Sequence, residues 1–520
     1  MAEGKQGGKE PFYYSHIWKN ILLLFLSLVT APISATAVLV SLAVSKLHHD
    51  RNRTFSKEDK KHRAAIQQRK TILVTGVSMT KGLTIARNLS QHTPHRIIGA
   101  DISELSPGRW SSANNKYYRL DTPNGDDADP YIDSILSVIL KEKVDLWISC
   151  SSVVAAVEDG QVVRLAEKQA KEQGKRFEAV QFREDVVEKF HEKDKFIDYI
   201  HSLGLTIPES YRCTSPNEAL DILMRELHSN SPRSSRRAKT TSRPMGKKFI
   251  MKPIGVDDKA RNNMTTLLPF STVEATTKYI RSLKITKSNP FQLQQFINGK
   301  EYCTHALVIR GKVKAFTSCP SLELLMHYEP LPPASSLSQE MLKFTERVCE
   351  EGGESFSGHL SFDFFVENED TGKKVTLYPI ESNPRAHTAV ILFEQTPEMA
   401  DAYLSIFCDP TAEPSRKFPP VFPRAPTLSY YWLGHDLIIF AILPVLDLLF
   451  GYGSWRRVVN GLRVVWQHLI YWKEGTLTFE DPWPFFVLYH VYWPSRFAMS
   501  LWKGKPWSRI NVSTTKMFEV

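Results

Sequence analysis

The residues best suited to chemistry gather in one stretch, SFDFFVENEDTGKKVTLYPIESNPRAH at 361–387. Asp363, Glu381 and Asn383 offer carboxylate and amide oxygens, the donors preferred by a hard divalent cation such as magnesium, which keeps several waters and bridges phosphate oxygens. Glu381 and Asn383 are two apart, so on a strand both side chains leave one face and converge on one ion. Pro384 stops the ladder and turns Arg385 inward, where a guanidinium can stabilise charge developing on a transferred phosphoryl group. Two earlier segments share the alternation of apolar and polar positions: KFIMKPIG (248–255), with Lys252, and QLQQFINGKEYCTHALV (292–308), with Gln294, Gln295 and Glu301. Each of the three reads as a strand bearing charged or amide groups where a nucleotide would need them. Singly such residues are ordinary surface polar groups. As an ordered set of matching chemical types they point to a nucleotide and metal site.

The elements that must position this set begin upstream. TILVTG at 71–76 followed by GLTIARNLS at 82–90 reads as strand, turn and helix. Further apolar runs at Arg96–Ala100 and Val144–Ser149, separated by a helical stretch from Tyr131 to Lys141, make an alternating α/β unit with a parallel sheet. Ligands of such sheets sit at the carboxyl edge, here Gly76–Gly82 and Cys150–Val153. TGVSMTKG lacks the spacing of either common phosphate loop, so it is read as a strand-helix turn whose Met79, Thr80 and Lys81 are candidate substrate contacts. His305 and His387 each follow a motif strand and are candidate substrate contacts or proton shuttles. Cys303 is read as packing, because nothing beside it forms an activated pair.

Composition fits a packed body: 42% hydrophobic and 23% charged residues, with 31 Pro and 25 Gly in 520 positions, far from low complexity. The net charge of +10 is confined to two places. Residues 46–70 hold nine Lys or Arg against three acids, and 229–248 holds seven basic residues and no acid, which leaves the remainder near −3. A nucleic-acid-binding surface is therefore not expected. The six cysteines show no metal-binding spacing and suit a reducing compartment.

Residues 21–45 run for 25 positions without a charge, enough for one transmembrane helix in a lipid bilayer. Seven Lys or Arg between Lys46 and Arg63, against three on the amino-terminal side, place the large body in the cytosol. The apolar run at 437–450 is too short to span. Tryptophans alternating with Arg and Lys after Trp455 suit packing on the body with some contact at a membrane interface.

The order of these segments resembles the ATP-grasp superfamily. The resemblance implies an α+β ATP-grasp fold preceded by an α/β (Rossmann-like) pre-ATP-grasp domain, with the one N-terminal transmembrane helix. It implies ATP and two Mg2+ as cofactors. Lys195 and Lys252 match the lysines of the nucleotide cleft. Gln294, Gln295, Phe296 and Ile297 match the adenine hinge, and Glu301 the ribose-binding acid. Asp363, Glu381 and Asn383 match the metal ligands, and Arg385 the arginine beside the γ-phosphate. The loop IGVDDKARNNMTT after Lys252 is poor in glycine where the family has a phosphate cover, and Arg261 is its candidate replacement. Gln295 also stands where Glu is common.

Within the superfamily the chain is similar to the ligases of mycosporine-like amino acid biosynthesis. MTK (79–81), LGL (203–205), GKEYCTH (299–305), ESNPRAHTA (381–389), YYWLGH (430–435), DPWPFFVLYH (481–490) and RIN (509–511) carry that likeness. It implies a small-molecule acceptor activated by phosphorylation and an amino acid that attacks it, with glycine and 4-deoxygadusol the expected pair. A carboxylate-amine ligase working through an acyl phosphate would use the same machinery. A silent nucleotide-binding scaffold would not need the intact D…ExNPR set.

The expected organisation is a tail (1–20), the membrane helix (21–45), a basic linker (46–70) and the α/β domain (71–185). The ATP-grasp domain (186–410, with a basic insertion at 229–248) and an aromatic-rich carboxyl-terminal region (411–520) follow.

Overall fold

The computed structural model describes residues 12–66, 69–123, 127–150, 155–229, 247–254, 266–321, 326–367, 375–408 and 419–519. Arg261 and its loop, residues 230–246 of the basic insertion and 151–153 of the expected sheet edge lie outside them. The chain forms two compact units, one of residues 1–196, 302–363 and 382–520, the other of 197–301 and 364–381. The boundary expected at 185/186 thus falls inside the first unit.

The first helix, α1 (His16–Ile66), extends beyond the apolar stretch at both ends. The basic segment read as a linker continues it, because Lys, Arg and Glu are good helix formers. Its part His16–Lys46 is long and apolar enough to cross a membrane. The amino-terminal half of α1 does not stand apart, however. Tyr13 just before it donates to Asp447 Oδ1 (2.8 Å), Lys19 Nζ to the Trp507 carbonyl (2.6 Å), Trp507 Nε1 to Asn20 Oδ1 (3.0 Å) and Ser27 Oγ to the Tyr489 carbonyl (2.9 Å).

The α/β part alternates as its periodicity predicts: β1 (Thr71–Thr75), α2 (Thr80–His92), β2 (Arg96–Asp101), β3 (Lys116–Arg119), α3 (Asp129–Glu142), β4 (Leu146–Ile148), α4 (Ala156–Glu172) and β5 (Glu178–Val180). The five strands pair in parallel in the order β3-β2-β1-β4-β5. β1 is buried on both faces. Ile72 and Val74 pack with Ile85 and Leu89 of α2, while Leu73 packs with Ile135 of α3 and Val162 of α4. Strand order reverses between β1 and β4, the point where a doubly wound sheet opens a crevice at its carboxyl edge.

After α5 (Glu184–His191) and α6 (Lys193–Ser202), the second unit holds β6 (Ser210–Cys213), α7 (Pro216–Ser229), β7 (Phe249–Pro253), α8 (Val273–Ser282) and β8 (Phe291–Gln295). Its antiparallel sheet, β6-β8-β7, buries Cys213, Phe249, Met251 and Leu293 against Leu223 and Ile280 of the two helices.

The chain continues through β9 (Lys300–Ile309), β10 (Lys312–Pro320), β11 (His327–Tyr328), α9 (Ser336–Gly352), β12 (Gly358–Glu367) and β13 (Thr376–Asn383). The segments 292–308 and 361–387, each read as one strand, are therefore two strands apiece. In the first the break covers 296–299, and a Cβ on Gly299 would stand 2.2 Å from the Val366 carbonyl oxygen. A four-stranded sheet has the order β10-β9-β12-β13.

The carboxyl-terminal elements are α10 (Glu398–Leu404), β14 (Tyr430–Tyr431), α11 (Leu433–Asp436), α12 (Leu443–Leu449), α13 (Trp455–Tyr471), β15 (Lys473–Glu474), α14 (Trp483–Val487), α15 (Trp493–Lys503), β16 (Trp507–Asn511) and β17 (Lys516–Glu519). A buried knot ties them to the α/β sheet. Asp481, at the head of DPWPFFVLYH, accepts from Arg87 Nε of α2 (2.8 Å), Ser111 Oγ (2.6 Å) and the Ser112 amide (2.7 Å). Arg87 and Asp481 are both buried, so removing one partner strands the other's charge away from water. Asp481→Ala is expected to lower unfolding free energy by about 3–5 kcal/mol in a denaturant titration; a loss below 1 kcal/mol would show that the knot does not hold α2 to this region.

Candidate active site

The centre of the site is the turn after β1, at the point where strand order reverses. Gly76 has φ +71°, and a Cβ on it would lie 2.5 Å from the Cys150 carbonyl oxygen at the end of β4. A Cβ on Gly82 would lie 2.4 Å from the Gly76 carbonyl oxygen. Both glycines of TGVSMTKG are thus needed so that α2 can start close against the sheet. Asp101 at the end of β2 braces the turn, accepting from the amides of Ser78 (2.8 Å) and Ser103 (2.9 Å). Met79, the residue preceding α2, gives no side-chain cap. Instead the Thr80 amide donates to the Ser513 carbonyl (2.9 Å), and Asn511, of the RIN tail, accepts from Ser513 Oγ (2.8 Å). The chain's last segment is therefore part of the helix start that presents Lys81.

Lys81 is buried to 2% exposure, and its Nζ donates to the Ala386 carbonyl (3.1 Å) in ESNPRAHTA. Burial, assisted by the positive charge of Arg385, pulls its pKa from 10.5 down to about 7. Arg385 donates from Nη2 to Asn383 Oδ1 (2.7 Å), and Asn383 Nδ2 donates to Asp363 Oδ2 (3.2 Å). An unbroken chain thus runs from guanidinium through amide to carboxylate. Of the candidate metal ligands, Asp363 and Asn383 belong to the first unit and are joined by this bond; Glu381 belongs to the second and precedes Asn383 by two residues on β13. Asp363 and Asn383 both carry oxygen, the donor type that magnesium takes.

Three histidines complete the wall. His305 Nδ1 accepts from the His387 amide (3.3 Å), which leaves the ring proton on Nε2, a buried atom with no hydrogen-bond partner among the described residues. His387 Nδ1 accepts from the Ala389 amide (3.3 Å), capping the 3-10 helix Thr388–Phe393. His359 Nε2 pairs with the Tyr403 hydroxyl (2.8 Å). Burial holds all three neutral: it lowers His305 well below 6.5, and, with the charges of Arg385 and Lys81, takes His387 to about 3; burial with Lys81 does the same for His359. The nearby Cys150 thiol is pushed up to about 12 by burial and is inert. The His305 Nε2 proton beside two nitrogen cations suits an anionic group, whose arrival would restore the proton of Lys81.

The structure brings together Thr80, Lys81, His305, His387, Asp363, Asn383 and Arg385, with Met79 buried at the turn. Lys195, on α6, is exposed and pairs with Glu192 (2.8 Å). In the second unit Lys252 Nζ donates to Gln294 Oε1 (2.6 Å), Gln295 Oε1 accepts from the Glu209 amide (3.2 Å), and the Phe296 amide donates to the Lys248 carbonyl (2.6 Å). Ile297 is buried, while Phe296 and Glu301 are exposed. His359 and Ser513 were missed by sequence reasoning. For His359 a signal existed: it lies four residues before Asp363, on the same face of β12.

A second titratable group lies elsewhere in the first unit. Asp436 accepts from His327 Nε2 (2.8 Å) and His468 Nδ1 (2.5 Å). Burial works to raise the Asp436 carboxyl, but the two imidazole donors outweigh it and hold it below the usual range. This clamp joins α11 to β11 and to the last turn of α13.

No family model and no curated protein matches the sequence. Among solved structures the chain is similar to an L-amino acid ligase from Bacillus licheniformis (13% identity, covering 62% of this chain and 69% of that one, TM-score 0.38). It is also similar to N5-carboxyaminoimidazole synthetase from Staphylococcus aureus complexed with ADP (13%, 65% and 76%, TM-score 0.41) and to the biotin carboxylase subunit of pyruvate carboxylase (14%, 66% and 71%, TM-score 0.44). Likenesses of this size assign no residue or reaction to the chain.

The Lys81 amine makes the site's cost measurable. Between pH about 7 and 10.5 the folded chain binds fewer protons at Lys81 than the unfolded chain, so stability rises with pH across that window and the full penalty applies below it. Lys81→Met is expected to be more stable than the parent by about 2–4 kcal/mol at pH 6, the gain shrinking as pH rises through 9. Equal effects at both pH values in denaturant titrations would contradict a depressed lysine.

Proposed function

We propose that this protein is an ATP-dependent ligase of the ATP-grasp type that phosphorylates an oxygen of a small acceptor and couples an amino acid to it. The observation that carries the reading is the Arg385–Asn383–Asp363 chain beside the buried Lys81 amine, which donates to the Ala386 carbonyl. In this reading Lys195, Lys252, Gln294, Gln295, Phe296, Ile297 and Glu301 bind the nucleotide, and Arg261 covers its phosphates. Asp363, Glu381 and Asn383 would hold two magnesium ions, which when bound neutralise phosphate oxygens. Arg385 holds the transferred phosphoryl group with a planar, always charged fork. Lys81, its pKa lowered to about 7 by burial and by Arg385, regains its proton when the anionic group arrives and holds that group through Nζ. His305 presents its Nε2 proton to the acceptor, and Met79 and Thr80 shape the turn beside it.

The sequence likeness to the mycosporine ligases favours glycine as the amine and 4-deoxygadusol as the acceptor, giving mycosporine-glycine. The apolar part of α1 is read as the anchor to a bilayer, with the catalytic body on the cytosolic side.

ADP release by the purified chain should require magnesium, glycine and 4-deoxygadusol together. Asp363→Ala and Arg385→Ala should each slow it at least a hundredfold without shifting the thermal midpoint by more than a few degrees. Normal turnover in either variant would remove the assignment of this chain to phosphoryl activation.

A further inference from the structure

Helix α13 carries three separate arcs along its length. The buried arc holds Val458, Gly461 and Val465. Helix contact there is close, since a Cβ on Gly461 would stand 1.9 Å from the Phe440 carbonyl oxygen, and His468 adds its bond to Asp436. The second arc holds Arg456, Asn460, Arg463 and Gln467, all exposed. The third is apolar and also exposed: Trp455, Val459, Leu462, Trp466, Leu469 and Ile470, with Trp455 at 66% and Trp466 at 65%. At 3.6 residues per turn these six fall within about 100°. No acidic residue occurs anywhere in the helix.

A soluble surface does not ordinarily leave so large an apolar stripe bare. Its surroundings say what covers it. Asp447 pins the start of α13 to the start of α1, accepting from Tyr13 through Oδ1 (2.8 Å) and from Arg457 Nη1 through Oδ2 (2.7 Å). From there the docked half of α1 exposes its own stripe, Ile17, Ile21, Phe25 and Leu28, on the segment long enough to cross a membrane. The two stripes are thus tied together at their origins, with exposed Phe450 against Tyr13 (ring centroids 5.4 Å) at the junction. Beside α13 a cavity of about 540 Å³ is lined by Arg456 and Arg457 together with Ile439, Phe440 and Pro444, a mixture suited to a lipid phosphate above apolar chain.

We propose that α13 is an in-plane membrane helix: its Trp455–Ile470 stripe lies in the phospholipid surface of the bilayer that receives α1, while Arg456 and Arg463 face lipid phosphates. The body is then held by two contacts, one crossing or entering the bilayer and one lying along it, which fixes its orientation as a single anchor would not.

The test uses the full chain, with Cys408→Ser as background, reconstituted in phosphatidylcholine vesicles with and without phosphatidylglycerol. Single cysteines at Leu462→Cys, Trp466→Cys, Asn460→Cys, Gln467→Cys and, within α1, Phe25→Cys carry an environment-sensitive fluorophore. Nitroxide-labelled lipid should quench the probes at 462 and 466 at least threefold more than those at 460 and 467, more strongly with phosphatidylglycerol present. Quenching at 25 without quenching at 462 and 466 would overturn the proposal while leaving the α1 anchor standing. So would probes at 462 and 466 shielded from both lipid and aqueous quenchers, which would mean that a second copy of the chain covers the stripe.

Discussion

The arrangement depends on one unfavourable act, the burial of the Lys81 amine next to the guanidinium of Arg385. Burial holds His305, His359 and His387 uncharged, so the histidines neither balance these two cations nor add a third. Lys81 yields its proton more easily instead, and the cost is spread over the packing that forces it inside. Stored in this way, the cost becomes useful: an anionic group delivered to Arg385 strengthens the hold of Lys81 on a proton, so charge and proton movement are coupled at one place.

What forces the amine inside is local and steric. Gly76 and Gly82 let α2 begin against the end of β4, and the sheet's change of strand order puts that turn over an open edge. The amide of Thr80 is then bound by Ser513, close to the end of the chain. Residues more than four hundred positions apart thus share one helix start. The Arg87–Asp481 pair holds the same helix two turns further on, which gives the carboxyl-terminal region a role in positioning chemistry as well as in covering the core.

The α/β sheet was legible because its signals are local: apolar runs of strand length, 3.6-residue spacing between them, and glycine at the turn. The polar set Asp363, Asn383 and Arg385 was legible because two of its members share a strand end. Other features were hidden for physical reasons. Ser513 matters through a partner far away in sequence and nothing in its own neighbourhood marks it, while His359 is marked only by its even spacing from Asp363. The basic segment after Lys46 reads as a linker by charge, yet the same residues favour helix, and α1 runs through it to Ile66. The turn TGVSMTKG matches no phosphate loop, and its importance comes from what the fold brings over it: Ala386, Arg385 and two histidines.

The exposed stripes of α1 and α13 are tied together at Asp447, so this surface is organised as deliberately as the site itself. The claim on which the site stands, however, is the depressed Lys81 amine. Competitive acylation of the native chain across pH, read peptide by peptide in a mass spectrometer, measures that amine directly. The account predicts a midpoint near 7 for Lys81 that moves upward when an anionic ligand is bound. A midpoint near 10 that no anion moves would contradict it.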